Sequence, residues 1–527
     1  MVIKRKTILY ACLIVYISFH IFTLANFPFV HSDEAWLASL SRSISVEKSL
    51  AATEDFYHIT PRYPHAIKSI YHLIQIPFIC AQFSVFAARL PSLIAGLLCL
   101  YFIYKISVIL LGNIKAGMLP VLMTAVDIQF IYMSHMGRQE IFIAALLYMG
   151  IYYFLESSEN RSYQSDIILG IITSAGIGIH PNSFLIGCTI VLLYCYFIFI
   201  RCRQKNIPLI SLKNMIIYIA VTAAGVVFFI SLSFIMDPQF PVHFLSFGSE
   251  HGVTDTFIRK IFRFRSFYIK LYKTISGTYY LPEIKYQLWF FGSMFLTALS
   301  CLFIKKYKKF YLGAFITVIL AFNLSILFIG KFSPPSIGIL FPAGYLLSAL
   351  VMKRILKSRV YYYIGIFLLA ALCISSGIQM LSQCNEGYRN YISEIKEAVP
   401  ADAKVLANLN TAFAFNYKKL HVYRDLASLE KRDLSFEEYI RGHSIDYIIY
   451  PEEMDVIYQE RPVWNTVYGN IFPYYDDMQK YLKESCSEIY QFTSRVYGMR
   501  IVPYMNRKDW TVRIYKVVKD PQTSSGF

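Results

Sequence analysis

Apolar runs long enough to cross a bilayer recur from Thr7 to Met380, most of them ended by lysine and arginine clusters, and this repetition excludes most soluble folds. A hydrocarbon core about 30 Å thick takes about 20 apolar residues as a helix, in which every backbone N–H and C=O is satisfied internally. Spans are expected at 7–26, 88–111, 116–133, 141–155, 165–179, 182–200, 213–236, 287–304, 310–329, 336–352 and 360–380, about eleven in all. Only 16% of residues are charged, against roughly 25% in soluble domains, so the fold class expected is a polytopic α-helical membrane protein. The basic start from Met1 to Lys6 is followed by an apolar stretch without a small-residue cleavage site, which reads as a retained first span.

Segment 67–83 is apolar but short and contains Lys68, His72, Gln75 and Pro77. Cytoplasmic loops carry excess lysine and arginine, and this decides how it lies. With Lys4, Arg5 and Lys6 inside, a surface-lying 67–83 puts the clusters at 201–205, 305–309 and 353–359 inside as well, whereas a crossing puts all three outside. The surface-lying reading sends 383–527 to the outer face, together with loops 27–87 and 237–286, the Arg138-Gln139-Glu140 turn and the His180-Pro181-Asn182 turn. Domains are therefore expected at 1–382, in the membrane, and 383–527, soluble and extracytoplasmic, in an integral multi-pass protein of the plasma membrane.

The net charge of +17 lies in short clusters between spans, a pattern of topology and not of a nucleic-acid face. No GxxxxGK[ST] phosphate loop and no internal repeat occurs. Cys12, Cys80, Cys99, Cys188, Cys195, Cys202, Cys301 and Cys373 fall in or beside apolar segments without CxxC spacing and read as packing residues, while Cys384 and Cys486 lie outside the spans and could pair if that region is exported. Segment 256–275 interleaves aromatic and aliphatic residues with arginine and lysine and reads as an amphipathic helix in the headgroup layer, attracting lipid phosphates. Beyond Met380, stretches 405–408, 447–450 and 512–518 read as strands and 435–441 as a helix, giving a small α/β domain.

Chemistry concentrates in the polar turns. The run His31-Ser32-Asp33-Glu34 sets two carboxylates just past the first span, where acidic groups are costly unless they pair, meet water or react. Adjacent residues point in different directions, so their roles must differ. A partly desolvated Asp33 would have a raised proton affinity, moderated by nearby cations, which suits a general base; the alternative is that Asp33 caps a helix starting at Glu34. Arg138 and Glu140 could hold an anionic ligand and orient it, bind a metal, or simply form an interfacial ion pair. His180 lies at a break that Pro181 alone explains, yet it is placed to touch a ligand. Arg62 with His65, and Arg89 opening the second span, could contact a phosphate, with snorkelling as the alternative for Arg89. Lys331 is a further cation at the same edge.

Five stretches in this order, His31-Ser32-Asp33-Glu34, Arg62-Tyr63-Pro64-His65-Ala66-Ile67, Ala88-Arg89-Leu90-Pro91-Ser92, the run from Tyr132 to Glu140, and Phe341-Pro342-Ala343, make the chain resemble the GT-C membrane glycosyltransferases. Within that class the resemblance is to the protein-mannosyltransferase-like group (glycosyltransferase family 39-like), which includes the aminoarabinose transferases of lipid A. It implies a donor sugar on a polyprenyl phosphate and inverting transfer by direct displacement onto a hydroxyl of a glycan, lipid or protein, a cell-envelope glycosylation. Carried over, it makes Asp33 the acidic residue that activates the acceptor, with Glu34 beside it, and matches Arg138 and Glu140 to the cationic and acidic positions after span three. The late span has Ile337-Gly338-Ile339-Leu340-Phe341-Pro342 where an Arg-Tyr often precedes a Leu-Pro, so Lys331 is the substitute phosphate partner. No cofactor is required by this reading, with a divalent metal left open. The rival class is a transporter or flippase of a lipid-linked sugar, which would tend to show two related halves with broken helices.

Overall fold

The computed structural model describes residues 14–158, 161–203, 210–250, 253–275, 279–304, 310–330, 332–384, 387–467, 470–498 and 508–518. Lys331 and the tripeptide Lys4-Arg5-Lys6 lie outside them. In chain order the helices of the first part are α1 (Ile14–Thr23), α2 (Ser32–Glu47), α3 (Ser69–Ala81), α4 (Val85–Leu111), α5 (Ile114–Val126), α6 (Ile128–His135), α7 (Glu140–Glu156), α8 (Tyr163–Ile179), α9 (Phe184–Arg203), α10 (Leu212–Met236), α11 (Phe240–Glu250), α12 (Phe257–Tyr272), α13 (Lys285–Phe303), α14 (Phe310–Ile329), α15 (Phe341–Ile355) and α16 (Ser358–Gln383).

Among the described residues seven helices are long and apolar enough to cross a membrane, or eight if a bent pair counts as one. The expectation of about eleven also counts the first span, of which only Ile14–Thr23 is described, and α7 and α8, each of 17 residues, about 26 Å at 1.5 Å per residue. The expected single span 116–133 is the bent pair, α5 and α6 meeting at 62°. Asp127 causes the break. Its carboxylate accepts the N–H groups of Gln129 (2.8 Å) and Phe130 (3.3 Å) as the cap of α6, and its other oxygen accepts the Tyr345 hydroxyl at 2.6 Å. Helix α15 is buried from Phe341 to Met352, while α10 turns Val227, Phe228 and Ile235 outward, the arrangement expected of a lipid-facing helix.

Helix α3 occupies the expected surface segment. Thirteen residues reach only about 20 Å, so it cannot cross. Its polarity is inverted: Ser69, His72 and Gln75 are buried while Leu73 and Ile74 are exposed. Two of the inward side chains meet α2 and α4, Ser41 donating to Gln75 Oε1 at 2.6 Å and lying 2.8 Å from His72 Nδ1, and Gln75 donating to the Ala88 carbonyl at 3.1 Å. Helix α12 is the expected basic amphipathic helix. It exposes Phe257, Ile258, Ile261 and Phe262 and packs Phe264, Phe267 and Tyr268 against the core.

The chain then changes character. Helix α17 (Tyr388–Ala398) leads into a five-stranded sheet of β1 (Val405–Ala407), β2 (Leu420–Val422), β3 (Tyr447–Pro451), β4 (Cys486–Ser494) and β5 (Trp510–Val517). The order is β2-β1-β3-β5-β4, with β1 parallel to β2 and β3, and β5 antiparallel to β3 and β4. Helix α18 (Phe436–Gly442) and β1, β3 and β5 coincide with the stretches read from the sequence; β2 and the edge strand β4 were not expected. Cys384 and Cys486 are both free thiols.

This α/β domain sits on the first loop of the bundle. The buried Asp425 carboxylate accepts the backbone N–H groups of His58 (2.8 Å), Ile59 (3.1 Å) and Thr60 (2.8 Å), and Arg42 donates to the Phe415 carbonyl (3.1 Å) while pairing with Asp55 (2.9 Å). One end of the bundle therefore collects the first loop, the turns after α6 and α8, and the domain.

Candidate active site

Helix α2 starts two residues earlier than a cap at Asp33 would require. His31 is the cap, its ring Nδ1 accepting the Asp33 N–H at 3.1 Å, and the Glu34 carboxylate accepts the His31 N–H at 3.0 Å, completing a capping box. The helix end is thus satisfied without the Asp33 carboxylate, which turns the other way.

There it meets the turn after α6 and the loop before α13. Arg138 donates to Asp33 Oδ2 and to the Tyr279 hydroxyl, and that hydroxyl donates to the same Asp33 oxygen at 2.6 Å. The Tyr279 ring stacks on His31, centroids 4.1 Å apart and 4° from parallel. Arg138 also grips Glu140 at 3.0 Å, and Ser333 donates to Glu140 at 2.8 Å. Exposure separates the two carboxylates: the Asp33 side chain is 35% exposed, Glu140 only 7%.

Glu34 and Arg89 have a different place from the one expected. Both side chains are buried. Glu34 takes the Arg89 Nε–H (2.7 Å) and a terminal N–H (2.8 Å) together with the N–H groups of His31 and Gly137, the latter at 2.8 Å. Arg89 spends its remaining donors on the carbonyls of Leu24, Pro28 and Phe29. All five guanidinium protons and both carboxylate oxygens are used inside the protein, leaving nothing to offer a substrate. The pair positions the first loop against α4 and the turn at Gly137, where a Cβ would lie 3.1 Å from the Ala88 carbonyl oxygen.

Arg62 is likewise engaged, its two bonds to Glu54 measuring 2.9 and 2.7 Å, with Trp36 donating to the same carboxylate at 2.7 Å. Burial alone would raise the Glu54 pKa, but Arg62 and Trp36 outweigh it and hold it at about 2. His65 lies against the rings of Phe240 and Phe244, and burial lowers its pKa to about 4. His180 caps the 3-10 turn Pro181–Ser183 through the Asn182 N–H (3.0 Å), and burial, then the charges of Lys68 and Arg138, drive its pKa well below the usual range. Both histidines are therefore neutral hydrogen-bonding groups at pH 7.

Lys68 is the group that the sequence left unassigned. It is the residue before α3, held in the left-handed region at φ 86°, a conformation that costs a lysine of order 1–2 kcal/mol. Its ammonium makes no hydrogen bond or ion pair among the described residues, and burial lowers its pKa; the charges that act on it are Glu54, Arg62, Arg138 and Asp33. No side chain caps the N-terminus of α3 beside it. An unpaired ammonium next to an uncapped helix start is suited to an anion. The sequence signal for Lys68 was its presence in an otherwise apolar stretch; Tyr279, in Tyr279-Tyr280-Leu281, gave none.

Asp33 and Glu140 are bridged by the single guanidinium of Arg138, which leaves the three side chains with a net charge of one negative.

Residues 69–234 match the model of the dolichyl-phosphate-mannose-protein mannosyltransferase family. Among solved structures the chain is similar to ArnT from Cupriavidus metallidurans bound to undecaprenyl phosphate, with 11% identity and a TM-score of 0.51 over 84% of this chain and 96% of that one. It is similar also to the Archaeoglobus fulgidus oligosaccharyltransferase in its apo form, with 10% identity and a TM-score of 0.55 over 86% and 71%. The same archaeal protein in complex with Zn and sulfate gives 11% and 0.51 over 86% and 69%. None of the curated proteins compared with the chain matches it by sequence.

Proposed function

We propose that this polytopic membrane protein, which shares its fold with GT-C glycosyltransferases, moves a sugar from a polyprenyl-phosphate donor to an acceptor hydroxyl, at the extracytoplasmic end of the bundle, with inversion at the anomeric carbon. What supports this reading is the part-exposed Asp33 carboxylate held by Arg138 and Tyr279, with the Lys68 ammonium, which has no partner among the described residues, acted on by the Asp33 charge.

In the reaction the acceptor hydroxyl gives its proton to Asp33 as its oxygen bonds to the anomeric carbon. The bond from that carbon to the phosphate oxygen breaks, and its electron pair leaves on the polyprenyl phosphate. Charge grows on that leaving oxygen in the transition state, so a fixed cation facing it lowers the barrier. Lys68 and the start of α3 are assigned this role. Arg138 and Tyr279 hold the Asp33 carboxylate in place. Neutral His65 and His180 are hydrogen-bonding partners for donor or acceptor. Glu34 and Arg89 position the loop that carries Asp33.

The test is native mass spectrometry of the chain purified in mild detergent. A co-purifying lipid of the mass of a glycosylated polyprenyl phosphate, released by added unglycosylated polyprenyl phosphate, is expected. Retention of bulk phospholipid alone, with no exchange, would count against a lipid-linked donor.

A further inference from the structure

Away from Asp33, where the first loop meets the α/β domain, three imidazoles converge. His58 comes from the loop, His421 from β2 and His443 from the residue after α18. One ring nitrogen from each lies within 4.8 Å of the other two. The His58 and His421 rings stack at 3.8 Å, and His443 is 5.3 Å and 5.2 Å from them by centroid. We propose that His58, His421 and His443 form a binding site for a zinc-class divalent cation that clamps the first loop to the α/β domain.

The ligand type and spacing suit such an ion. Imidazole is a preferred ligand of zinc, copper and nickel. Zn–N bonds of about 2.0–2.1 Å place tetrahedral nitrogens about 3.3 Å apart, so closure takes a ring rotation that opens the His58–His421 stack. His443 makes no side-chain hydrogen bond among the described residues, and its ring is only half-buried.

The surroundings are those of a ligand set and not of a stack alone. The Tyr439 hydroxyl lies 3.2 Å from His421 Nδ1 and donates to the Asp425 carboxylate at 3.3 Å. A hydroxyl that donates to the carboxylate accepts from His421 Nδ1–H, which leaves the Nε2 lone pair for an ion, the tautomer selection characteristic of metal-bound histidine. Asp425 is wholly buried, has no ion-pair partner among the described residues, and fixes the loop backbone from His58 to Thr60. It supplies the negative charge that three neutral ligands lack. Burial, followed for His421 by the other two rings, lowers the pKa of all three histidines, that of His421 to about 2, so the ligating neutral form prevails at pH 7.

The full chain, purified, stripped with a chelator and titrated with zinc chloride against a chromophoric zinc indicator, tests this. The wild type is expected to bind one zinc that His443→Ala loses, while Asp33→Asn keeps it. Tyr439→Phe, which retains all three ligands, is expected to bind about 10- to 100-fold more weakly. Zinc should raise the melting temperature of the wild type and not that of His443→Ala, because an ion bound only by the folded state stabilises it by mass action. The same zinc stoichiometry in wild type and His443→Ala, no binding by either, or a site abolished by Asp33→Asn instead, would overturn the assignment.

Discussion

Side chains of like charge and like sequence setting have opposite fates at this end of the bundle, and bonding capacity separates them. Glu34 and Arg89 are saturated by each other and by backbone groups; Asp33 keeps a third of its surface open, and Lys68 has no partner among the described residues. Glu34→Ala leaves a buried guanidinium unpaired and should cost about 3–5 kcal/mol, read as a fall in melting temperature in detergent together with lower yield. Lys68→Met should keep the fold and weaken polyprenyl phosphate about 10- to 100-fold, the worth of one charge-assisted bond, measured by lipid titration. Because burial lowers the Lys68 pKa, its ammonium deprotonates earlier than an ordinary lysine. Affinity for the glycosylated donor, a phosphodiester with a constant single negative charge, should therefore fall as pH rises through that lowered value and stay flat below it, and Lys68→Met should abolish the dependence. The sequence placed Asp33 and Arg138 at the same end through loop charge but carried no trace of the bond between them, 105 residues apart. Nor did it distinguish Asp33 from Glu34 by burial, because that depends on Arg89, far along the chain.

Elements were legible where their signal is local. The spans, the amphipathic α12 and strands β1, β3 and β5 follow from apolar runs and periodicity, which depend on neighbours in sequence. The bend at Asp127 was missed because an aspartate inside an apolar run reads as an isolated polar residue until its partner, Tyr345, is known. Strand β4 was missed because its burial pattern is almost uniformly exposed, with Ile489 and Tyr490 outward at a sheet edge. Asp127→Ala removes the cap of α6 and strands the buried Tyr345 hydroxyl. It should cost about 2–4 kcal/mol, whereas Asp127→Asn, which keeps an acceptor, should cost less than half of that; thermal unfolding of the two variants in detergent distinguishes them.

Across the whole molecule, the first loop, the turns carrying Arg138 and His180, Tyr279 and the α/β domain share one end, joined by bonds that run from Asp33 to Tyr279 and from His58 to Asp425. Loop charge made this gathering readable, since one assumption, that 67–83 does not cross, orders every later loop. Which face of the membrane that end occupies is a prediction: reporter fusions at Lys306 and Lys404 should report opposite sides, with Lys404 extracytoplasmic. The most direct measurement is turnover by purified wild type and Asp33→Asn, given a labelled polyprenyl-phosphate sugar and an envelope extract as the source of acceptor, with melting temperature and donor affinity recorded alongside. Removal of a general base typically costs about 100- to 10,000-fold, so Asp33→Asn should bind donor and melt like the wild type while transfer falls by that factor. Transfer at the wild-type rate by a folded, donor-binding Asp33→Asn would contradict the account.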